Sequence, residues 1–339
     1  MRALVTGATG FIGGNVARAL LRHGYGVRAL VRDVGRAADL KAMGAQLALG
    51  DLCDEASLER AVSGCDALLH VGAIYTLWAP EPELVYRTNV RGTRTLLELA
   101  GRAGVRRIVF TSSESTLRVP RGGVGDEEGR RDLRRIAGPY KRSKYLAEQL
   151  ALDMAGDGLP LVVVNPTTPV GVGDVKPTPT GGLILDFLNR RMPAFVDTGL
   201  NVVDVEDVAE GHVLALEHGR VGERYLLGNE NLTMEQLLQR LAGVTGLRAP
   251  RLRLPHWLAL GLAHADEAAA RGLGLGPPRV PLDGVRASMH HRYFDCGKAV
   301  RELGMPQTPL DEALRKAVAW FRDHGYLRRP LPAPREEVA

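Results

Sequence analysis

Tyr140 and Lys144 lie four residues apart in a segment with a helical pattern, so both side chains project from one face of the predicted helix. A lysine ammonium held near a phenol favours the phenolate and lowers the pKa of the tyrosine from its reference value of about 10. Such a tyrosine can give a proton to, or take one from, an oxygen whose carbon exchanges a hydride with a nicotinamide. The pair therefore predicts a general acid and base.

A predicted strand that ends in Thr111-Ser112-Ser113 precedes this helix. A hydroxyl at the end of that strand can hydrogen-bond the same substrate oxygen and orient it between the tyrosine and a cofactor. The alternative interpretation is that Ser112 and Ser113 form a turn or cap a helix.

A glycine-rich turn follows the first predicted strand and opens the first predicted helix; its residues are Gly7, Ala8, Thr9, Gly10, Phe11, Ile12 and Gly13. In this context glycines let the backbone approach a pyrophosphate at a helix N-terminus. The spacing GxxGxxG is one residue wider at its start than the GxGxxG fingerprint of dinucleotide sites. The turn predicts a nicotinamide dinucleotide, and the alternative is glycines kept only for strand-to-helix packing.

The end of the second predicted strand usually decides between NAD and NADP. There the sequence reads Val31-Arg32-Asp33, with an apolar residue where an acidic one would bind the ribose 2′-hydroxyl. Arg32 therefore predicts NADP(H), with its guanidinium on the 2′-phosphate. Asp33 argues the other way and keeps NAD(H) open, and Arg32 as a plain surface charge is the alternative.

The elements that must position these residues alternate between strand and helix. The pattern predicts strands at 2–6, 27–31, 46–49, 67–71, 107–111 and 161–165, and helices at 11–23, 86–103 and 140–155. Such alternation requires crossover connections, and the strands are apolar throughout, as in a sheet that is covered on both faces. The fold class is therefore α/β, with a Rossmann doubly wound parallel sheet and a smaller, mixed α/β C-terminal substrate domain.

The texture changes after Pro166, where proline and glycine separate shorter helices. We predict an NADP-binding Rossmann domain over 1–165, with 201–228 returning to it through a strand at 201–205, a helix and a strand at 224–227. The substrate-binding region would be 166–200 and 229–330, and 331–339 a frayed tail. Arg118–Pro139, rich in glycine and charged residues, is predicted to be a mobile, solvated loop; the less favoured alternative is a lid over the site.

Composition narrows the class of protein further. The 339 residues carry a formal net charge of +5 in a spread, alternating pattern, unlike the basic stripe of a nucleic-acid binder. The three cysteines have no CxxC spacing, which indicates no metal site and favours a reducing, cytoplasmic setting. The N-terminus enters a needed strand directly and so is not a signal peptide, and the apolar stretch 257–265 is too short to span a bilayer. Peripheral membrane contact stays open.

Several motifs in their order resemble the extended short-chain dehydrogenase/reductases of the NAD-dependent epimerase/dehydratase family. They are Gly7xxGly10xxGly13, Gly50-Asp51-Leu52, His70-Val71-Gly72-Ala73, Asn89-Val-Arg-Gly92, Phe110-Thr-Ser-Ser113, Tyr140xxxLys144 and Asn165-Pro166. Closer in, Tyr86-Arg-Thr-Asn89, Val170–Thr180, Met192–Gly199 and Leu254-Pro-His-Trp257 resemble the hopanoid-associated sugar epimerase group, which is itself similar to dihydroflavonol 4-reductases.

The resemblance implies roles for individual residues. Ser113 would be the hydroxyl partner of Tyr140, and Lys144 would also hold the nicotinamide ribose. Asn89 would stabilise a proton path or merely cap its helix, and Tyr75 and Trp78 would line the substrate mouth or simply pack. The other implied cofactor contacts are Asp51 and Leu52 at the adenine, Val71, Gly72, Ala73 and Thr111 along the cofactor, and Pro166 and Thr167 near the carboxamide.

Glu114 departs from the reductase pattern, which has a small or apolar residue after the catalytic hydroxyl. In related sugar-nucleotide dehydratases an Asp-Glu pair stands there, whereas this chain has Glu114-Ser115. We therefore predict no dehydratase, and expect at Glu114 an additional negative charge or a second base near the substrate.

The leading hypothesis is an NADP(H)-dependent reductase of a ketone or aldehyde with Tyr140 as general acid/base. A nucleotide-sugar epimerase that retains its cofactor is the alternative, and a non-catalytic NADP-binding sensor or scaffold is the alternative of another class. The partner would be a small-molecule carbonyl compound or a nucleotide sugar, bound by a monomer or a homodimer.

Overall fold

The computed structural model describes residues 1–273 and 276–332. Its strands are β1 (Arg2–Thr6), β2 (Gly26–Val31), β3 (Gln46–Leu49), β4 (Ala67–His70), β5 (Arg107–Thr111), β6 (Leu161–Pro166), β7 (Thr168–Val170), β8 (Ala194–Val196), β9 (Gly199–Asp204), β10 (Arg224–Leu227), β11 (Glu230–Thr233) and β12 (Leu252–Leu254). Of the tail predicted at 331–339, residues 333–339 lie outside the described residues.

The helices connect these strands. They are α1 (Phe11–Arg22), α2 (Ala38–Ala42), α3 (Glu55–Val62), α4 (Pro82–Tyr86), α5 (Thr93–Arg102), α6 (Pro139–Gly156), α7 (Pro179–Leu188), α8 (Val205–His218), α9 (Met234–Thr245), α10 (His256–Leu273), α11 (Leu282–Ser288), α12 (Gly297–Leu303) and α13 (Leu310–Asp323). In the described part of the chain, no helix combines the length and the apolar character needed to cross a bilayer.

Seven strands form one parallel sheet in the order β10-β6-β5-β4-β1-β2-β3. Apolar side chains project from both faces of the sheet. Those on one face pack against α1 and α8, and those on the other face pack against α3, α5 and α6. Burial on both faces explains why β4 and β6 are apolar runs rather than alternating ones. The predicted doubly wound parallel sheet is confirmed.

A smaller region follows β6. It contains a mixed sheet in the order β11-β9-β7, a parallel pair of β8 and β12, and a separate apolar core under α7, α9 and α13. β10 pairs with β6 in the large sheet, and α8 packs on the same face as α1. The strand predicted at 201–205 does not return to the large sheet, because β9 is held between β7 and β11 by parallel and antiparallel ladders.

Most residues of the segment Arg118–Pro139 are exposed, as predicted for a solvated loop, but the segment is also anchored at several points. The Glu127 carboxylate is buried and accepts a hydrogen bond from the Leu226 N–H at 2.9 Å. Gly125 exchanges backbone hydrogen bonds with the strand-like segment around Phe294, and Ile136 is buried. Polar composition could not reveal these long-range partners.

The helix predicted to start near Tyr86 begins earlier, at Pro82. Between α4 and α5 the chain makes a π-helical stretch at Arg87–Gly92 without breaking the helix. Such single π turns inside helices are frequent at functional sites. This one contains Asn89.

Candidate active site

The glycine-rich turn lies at the carboxyl edge of the sheet, where β1 meets β4 and the strand order reverses. Ligands of doubly wound sheets bind at this reversal. Gly7 has a φ of 70°, and a Cβ there would lie 2.7 Å from the Cα of Gly72. A Cβ on Gly13 would lie 2.2 Å from the Gly7 carbonyl oxygen. The glycines are therefore required by close backbone approach.

The same turn fits the phosphates of a dinucleotide. Gly10 is the N-cap of α1 and offers no side-chain cap, and the first turn carries no acidic residue. Backbone N–H groups of a first helical turn have no partner within the helix, and they attract anions. Thr9 and Gly10 are exposed, Phe11 and Ile12 are half-buried, and all four surround this helix end.

Two polar residues, Thr6 and His70, connect the strands that form the reversal, and no role was predicted for them. The Gly72 N–H donates to Thr6 Oγ1 at 3.0 Å, and Thr6 Oγ1 lies 2.8 Å from His70 Nδ1. On the other side, His70 Nε2 lies 2.9 Å from Thr93 Oγ1, which donates to the Asn89 carbonyl at 2.7 Å. Because the Thr93 hydroxyl donates its proton to the Asn89 carbonyl, it can only accept from His70. The His70 proton therefore lies on Nε2.

Asn89 ties the loop after β4 to α6. Its Oδ1 accepts from the Ile74 N–H at 2.8 Å, and its Nδ2 donates to the Ile74 carbonyl and to Ser143 Oγ, both at 3.0 Å. The interpretation of Asn89 as a helix cap is wrong, because the residue is buried inside the π-helical stretch. Val71, Gly72 and Ala73 lie in this loop, directly after β4.

Ser113 and Tyr140 come together at the ends of β5 and α6. Ser113 caps the 3-10 turn Glu114–Thr116, and its Oγ accepts from the Ser115 N–H at 3.1 Å and from Ser115 Oγ at 2.9 Å. Because Oγ accepts in both contacts, its own proton is left for donation to Tyr140 or to a substrate oxygen beside it. The capping and catalytic interpretations of Ser113 are thus compatible. Ser112 is buried, and its hydroxyl has no hydrogen-bond partner among the described residues.

Burial raises the pKa of Tyr140 above its ordinary value; Tyr75 and Glu114 raise it further, and a hydrogen bond with Ser113 lowers it. The phenol therefore carries its proton at neutral pH. The effect of Lys144 on this pKa, predicted from the spacing, is not found in this structure. The lysine ammonium instead donates to the Thr111 carbonyl at 2.6 Å.

Lys144 is buried, and burial lowers the pKa of its ammonium to about 8 while Glu148 acts in the opposite direction. Its Nζ lies 4.8 Å from the centre of the Phe110 ring. The fully buried Glu148 carboxylate accepts from Thr116 Oγ1 at 2.8 Å and from Asn165 Nδ2 at 2.7 Å. Asn165 Nδ2 also lies 3.1 Å from the Ser113 carbonyl, so the buried carboxylate supports the backbone that carries Ser113.

Thr111 is held from the opposite side of the sheet. Its hydroxyl lies 2.9 Å from His212 Nε2, and His212 Nδ1 lies 2.7 Å from the Val208 carbonyl. A carbonyl can only accept, so Nδ1 carries the proton and Thr111 donates to Nε2. Thr111 is buried, and its resolved partners are His212 and Lys144.

We expect His212→Gln to reduce the dependence of the free energy of unfolding on pH below pH 7. Burial lowers the pKa of His212 to about 4, so the folded state binds fewer protons than the unfolded state between that value and 6.5. Stability is therefore lost as the pH falls through this window, by up to about 1.4 kcal/mol per pH unit. Urea unfolding from pH 7 to pH 4.5 should show the wild type losing about 2–3 kcal/mol more than the variant.

The exposed His290 provides the matched control, since His290→Gln should follow the wild type over the whole range. Parallel curves for His212→Gln and wild type would show that His212 is not held neutral.

Tyr75 reaches the catalytic tyrosine, with 4.7 Å between the two ring centres. It is 49% exposed, so it lies at the opening of the site rather than in a core. Trp78 is half-buried in the same loop.

Glu114 forms an ion pair with Arg292, and both side chains are largely buried. Sequence reasoning missed Arg292, which has no motif around it.

The predicted adenine end lies beside β2. Arg32 is 77% exposed, and its Nη1 is 4.0 Å from Asp51 Oδ2, a distance too long to commit the guanidinium. Asp33 Oδ1 accepts from the Gly35 N–H at 2.9 Å. Leu52 is half-buried, and Asp51 accepts from the Cys53 N–H at 2.8 Å. Pro166 ends β6, and the Thr167 N–H donates to the Leu227 carbonyl at 3.0 Å.

Fold and site together are those of an enzyme that uses a nicotinamide cofactor. The profile of the NAD dependent epimerase/dehydratase family matches residues 3–228, and the chain belongs to this family. This family contains oxidoreductases and epimerases. The prediction that the chain is a member is confirmed.

The relatives are similar over almost their full length. A Synechocystis protein named as a dihydroflavonol 4-reductase is 47% identical, over 96% of this chain and 95% of its own. Sterol demethylase protein B of Methylococcus capsulatus is 37% identical, over 96% of this chain and 100% of its own. A solved nucleoside-diphosphate-sugar epimerase from Pseudomonas aeruginosa is 30% identical, with a TM-score of 0.78 over 97% of this chain and 99% of its own. The resemblance to dihydroflavonol 4-reductases is confirmed, while a link to hopanoids stays a prediction.

Proposed function

We propose that this protein is an NADP(H)-dependent reductase of a ketone or aldehyde. The observation that carries the proposal is the meeting of Ser113, Tyr140 and Lys144 at the sheet edge that also holds the glycine-rich turn. When bound, NADPH would supply the hydride to the carbonyl carbon. Lys144 and the backbone of the glycine-rich turn would hold the cofactor, at the ribose and at the phosphates.

Tyr140 and Ser113 supply the rest of the chemistry. The Ser113 hydroxyl donates a hydrogen bond to the carbonyl oxygen and orients it, and Tyr140 gives its proton to the same oxygen. A phenol that burial keeps protonated is in the right state for reduction, because the general acid must start with its proton. Glu148, through Asn165, supports the backbone that presents Ser113.

An epimerase is the second candidate, and it is favoured by the similarity to the nucleoside-diphosphate-sugar epimerase from Pseudomonas aeruginosa. An epimerase oxidises and re-reduces its substrate, and returns the cofactor unchanged. The test is a screen of carbonyl compounds and nucleotide sugars by NADPH oxidation and by product analysis. Net consumption of NADPH supports the reductase; epimerised sugar with no net consumption contradicts it.

We expect Arg32→Ala to weaken NADP+ binding about 10- to 100-fold and to leave NAD+ binding unchanged. A hydrogen-bonded charge pair with the 2′-phosphate contributes about 1.5–3 kcal/mol, and Arg32 is free to form it, whereas Asp33 already accepts from a backbone N–H. Fluorescence titration of both cofactors measures the effect. Arg94→Ala on α5 removes another exposed arginine and is the control. Equal affinities for NADP+ and NAD+ in the wild type would refute the preference.

We also propose that the protein acts in the cytoplasm. Support comes from Cys53, an exposed free thiol, which is suited to a reducing compartment.

A further inference from the structure

Three cationic side chains lie around Glu114, the residue that follows Ser113, and have no part in the proton and hydride transfer described above. They are Arg131, Lys141 and Arg292, and we call them the basic cluster. Arg131 comes from the anchored segment before α6, Lys141 directly follows Tyr140 on α6, and Arg292 follows α11. All three are partly buried, and the Arg292 side chain is only 15% exposed.

The basic cluster is not neutralised by its neighbours. Glu114 pairs with Arg292. Arg131 donates to the Ser115 carbonyl at 2.8 Å, but a carbonyl carries no net charge and cannot neutralise the guanidinium. Asp283 faces Lys141 but also faces Arg286. The three cations thus face two carboxylates, one of which is shared with Arg286, so positive charges outnumber negative charges at the cluster.

The excess charge acts on the groups themselves. Burial and the neighbouring Arg292 lower the pKa of Lys141 to about 8, although Glu114 and Asp283 act in the opposite direction. Burial and Arg292 likewise lower the pKa of Arg131. The Arg292 Nε is buried and has no hydrogen-bond partner among the described residues. Partly buried cations of this kind are stabilised by an anion that supplies the missing acceptors.

Glu114 links the cluster to the catalytic residues. Glu114 follows Ser113 in the chain and is close enough to Tyr140 to influence its ionisation. The ion pair of Glu114 with Arg292 also shows that this guanidinium can bind a carboxylate next to the catalytic residues. An anionic group at the cluster would therefore belong to the molecule whose carbonyl meets Tyr140.

We infer that the substrate carries a carboxylate, which binds the basic cluster while its carbonyl oxygen meets Ser113 and Tyr140. This inference rests on the proposed function. A carboxylate is proposed rather than a phosphate monoester because Arg292 already pairs with the carboxylate of Glu114, in a geometry that a planar guanidinium suits. The ester or amide of such a substrate would leave the excess charge uncompensated.

The first test compares 4-acetylbenzoate with its methyl ester, two ketones that differ in the charge. With NADPH, kcat/KM for the acid should exceed that for the ester at least tenfold. In Lys141→Met and Arg292→Met the ratio of acid to ester should fall toward one. A wild type that reduces the ester as well as the acid overturns the inference and leaves the reductase standing.

The second test needs no turnover. At pH 8, the N-hydroxysuccinimide ester of acetic acid should acetylate Lys141, and 4-acetylbenzoate with NADP+ should slow this reaction at least fivefold, as measured by peptide mass spectrometry. The methyl ester should give no protection, and the exposed Lys176 is the internal control.

The outcomes separate the two proposals. Equal labelling of Lys141 with acid and ester overturns the inference, as does stronger protection by inorganic phosphate, which would assign a doubly charged group. Protection by the acid without reduction of either ketone supports the carboxylate site and contradicts the reductase.

Discussion

Tyr140→Phe is expected to lower kcat for carbonyl reduction by at least about 100-fold while the Kd for NADPH changes by less than about twofold. Phenylalanine keeps the ring that packs against Tyr75, 4.7 Å away, and removes only the proton donor. The loss should be in kcat rather than in binding, because the proton is transferred only as the carbonyl oxygen gains charge. Single-turnover rates and fluorescence titration of NADPH measure the two quantities separately.

Tyr145→Phe on the same helix is the matched control, since the Tyr145 hydroxyl forms no hydrogen bond with Ser113, Tyr140 or Lys144 in the described part of the chain. Retained turnover in Tyr140→Phe would contradict the assigned role and would favour the non-catalytic sensor among the hypotheses.

The second large effect is expected from Gly13→Ala. The added Cβ would lie 2.2 Å from the Gly7 carbonyl oxygen, and no side-chain rotation can relieve this contact because the backbone fixes the positions of both atoms. The N-terminus of α1 must move away from β1, which we expect to destabilise the fold by at least about 2 kcal/mol. The same movement displaces the N–H groups at the phosphates, so cofactor affinity should fall at least about tenfold.

Gly14→Ala tests whether the effect belongs to this position. Its Cβ would approach nothing closer than 3.2 Å, so small adjustments suffice and alanine improves the helix propensity. Urea unfolding and NADPH titration of both variants give the comparison. A Gly13→Ala protein with wild-type stability and affinity would contradict the close contact between position 13 and the Gly7 carbonyl oxygen.

Local patterns predicted the large sheet well, because its signals are short in sequence. The glycine turn, the apolar strands and the four-residue spacing of Tyr140 and Lys144 each lie within a few residues of chain. The orientation of Lys144 was not predictable in the same way. Spacing places it one turn from Tyr140, whereas its hydrogen bond to the Thr111 carbonyl depends on how α6 packs against β5.

Long-range partners account for most of what the sequence did not reveal. Arg292 lies 178 residues from Glu114, and no local pattern links the two. The sequence draws attention to Asn89, but a buried amide that binds Ile74 and Ser143 has the same sequence signature as a helix cap. The placement of β9 failed for a related reason, since a strand pattern does not specify which sheet a strand joins.

The position of β10 bears on how this chain is made. The large sheet ends in a strand that the ribosome delivers only after β7, β8, β9 and α8 have emerged. Until then β6 is an unpaired edge, and the buried Glu148 lacks Arg224, whose guanidinium lies 3.5 Å from its carboxylate. The nascent nucleotide-binding half is thus exposed to misassociation for longer than its position at the start of the chain suggests. Completion of this half requires synthesis through residue 227, well beyond its last catalytic residue.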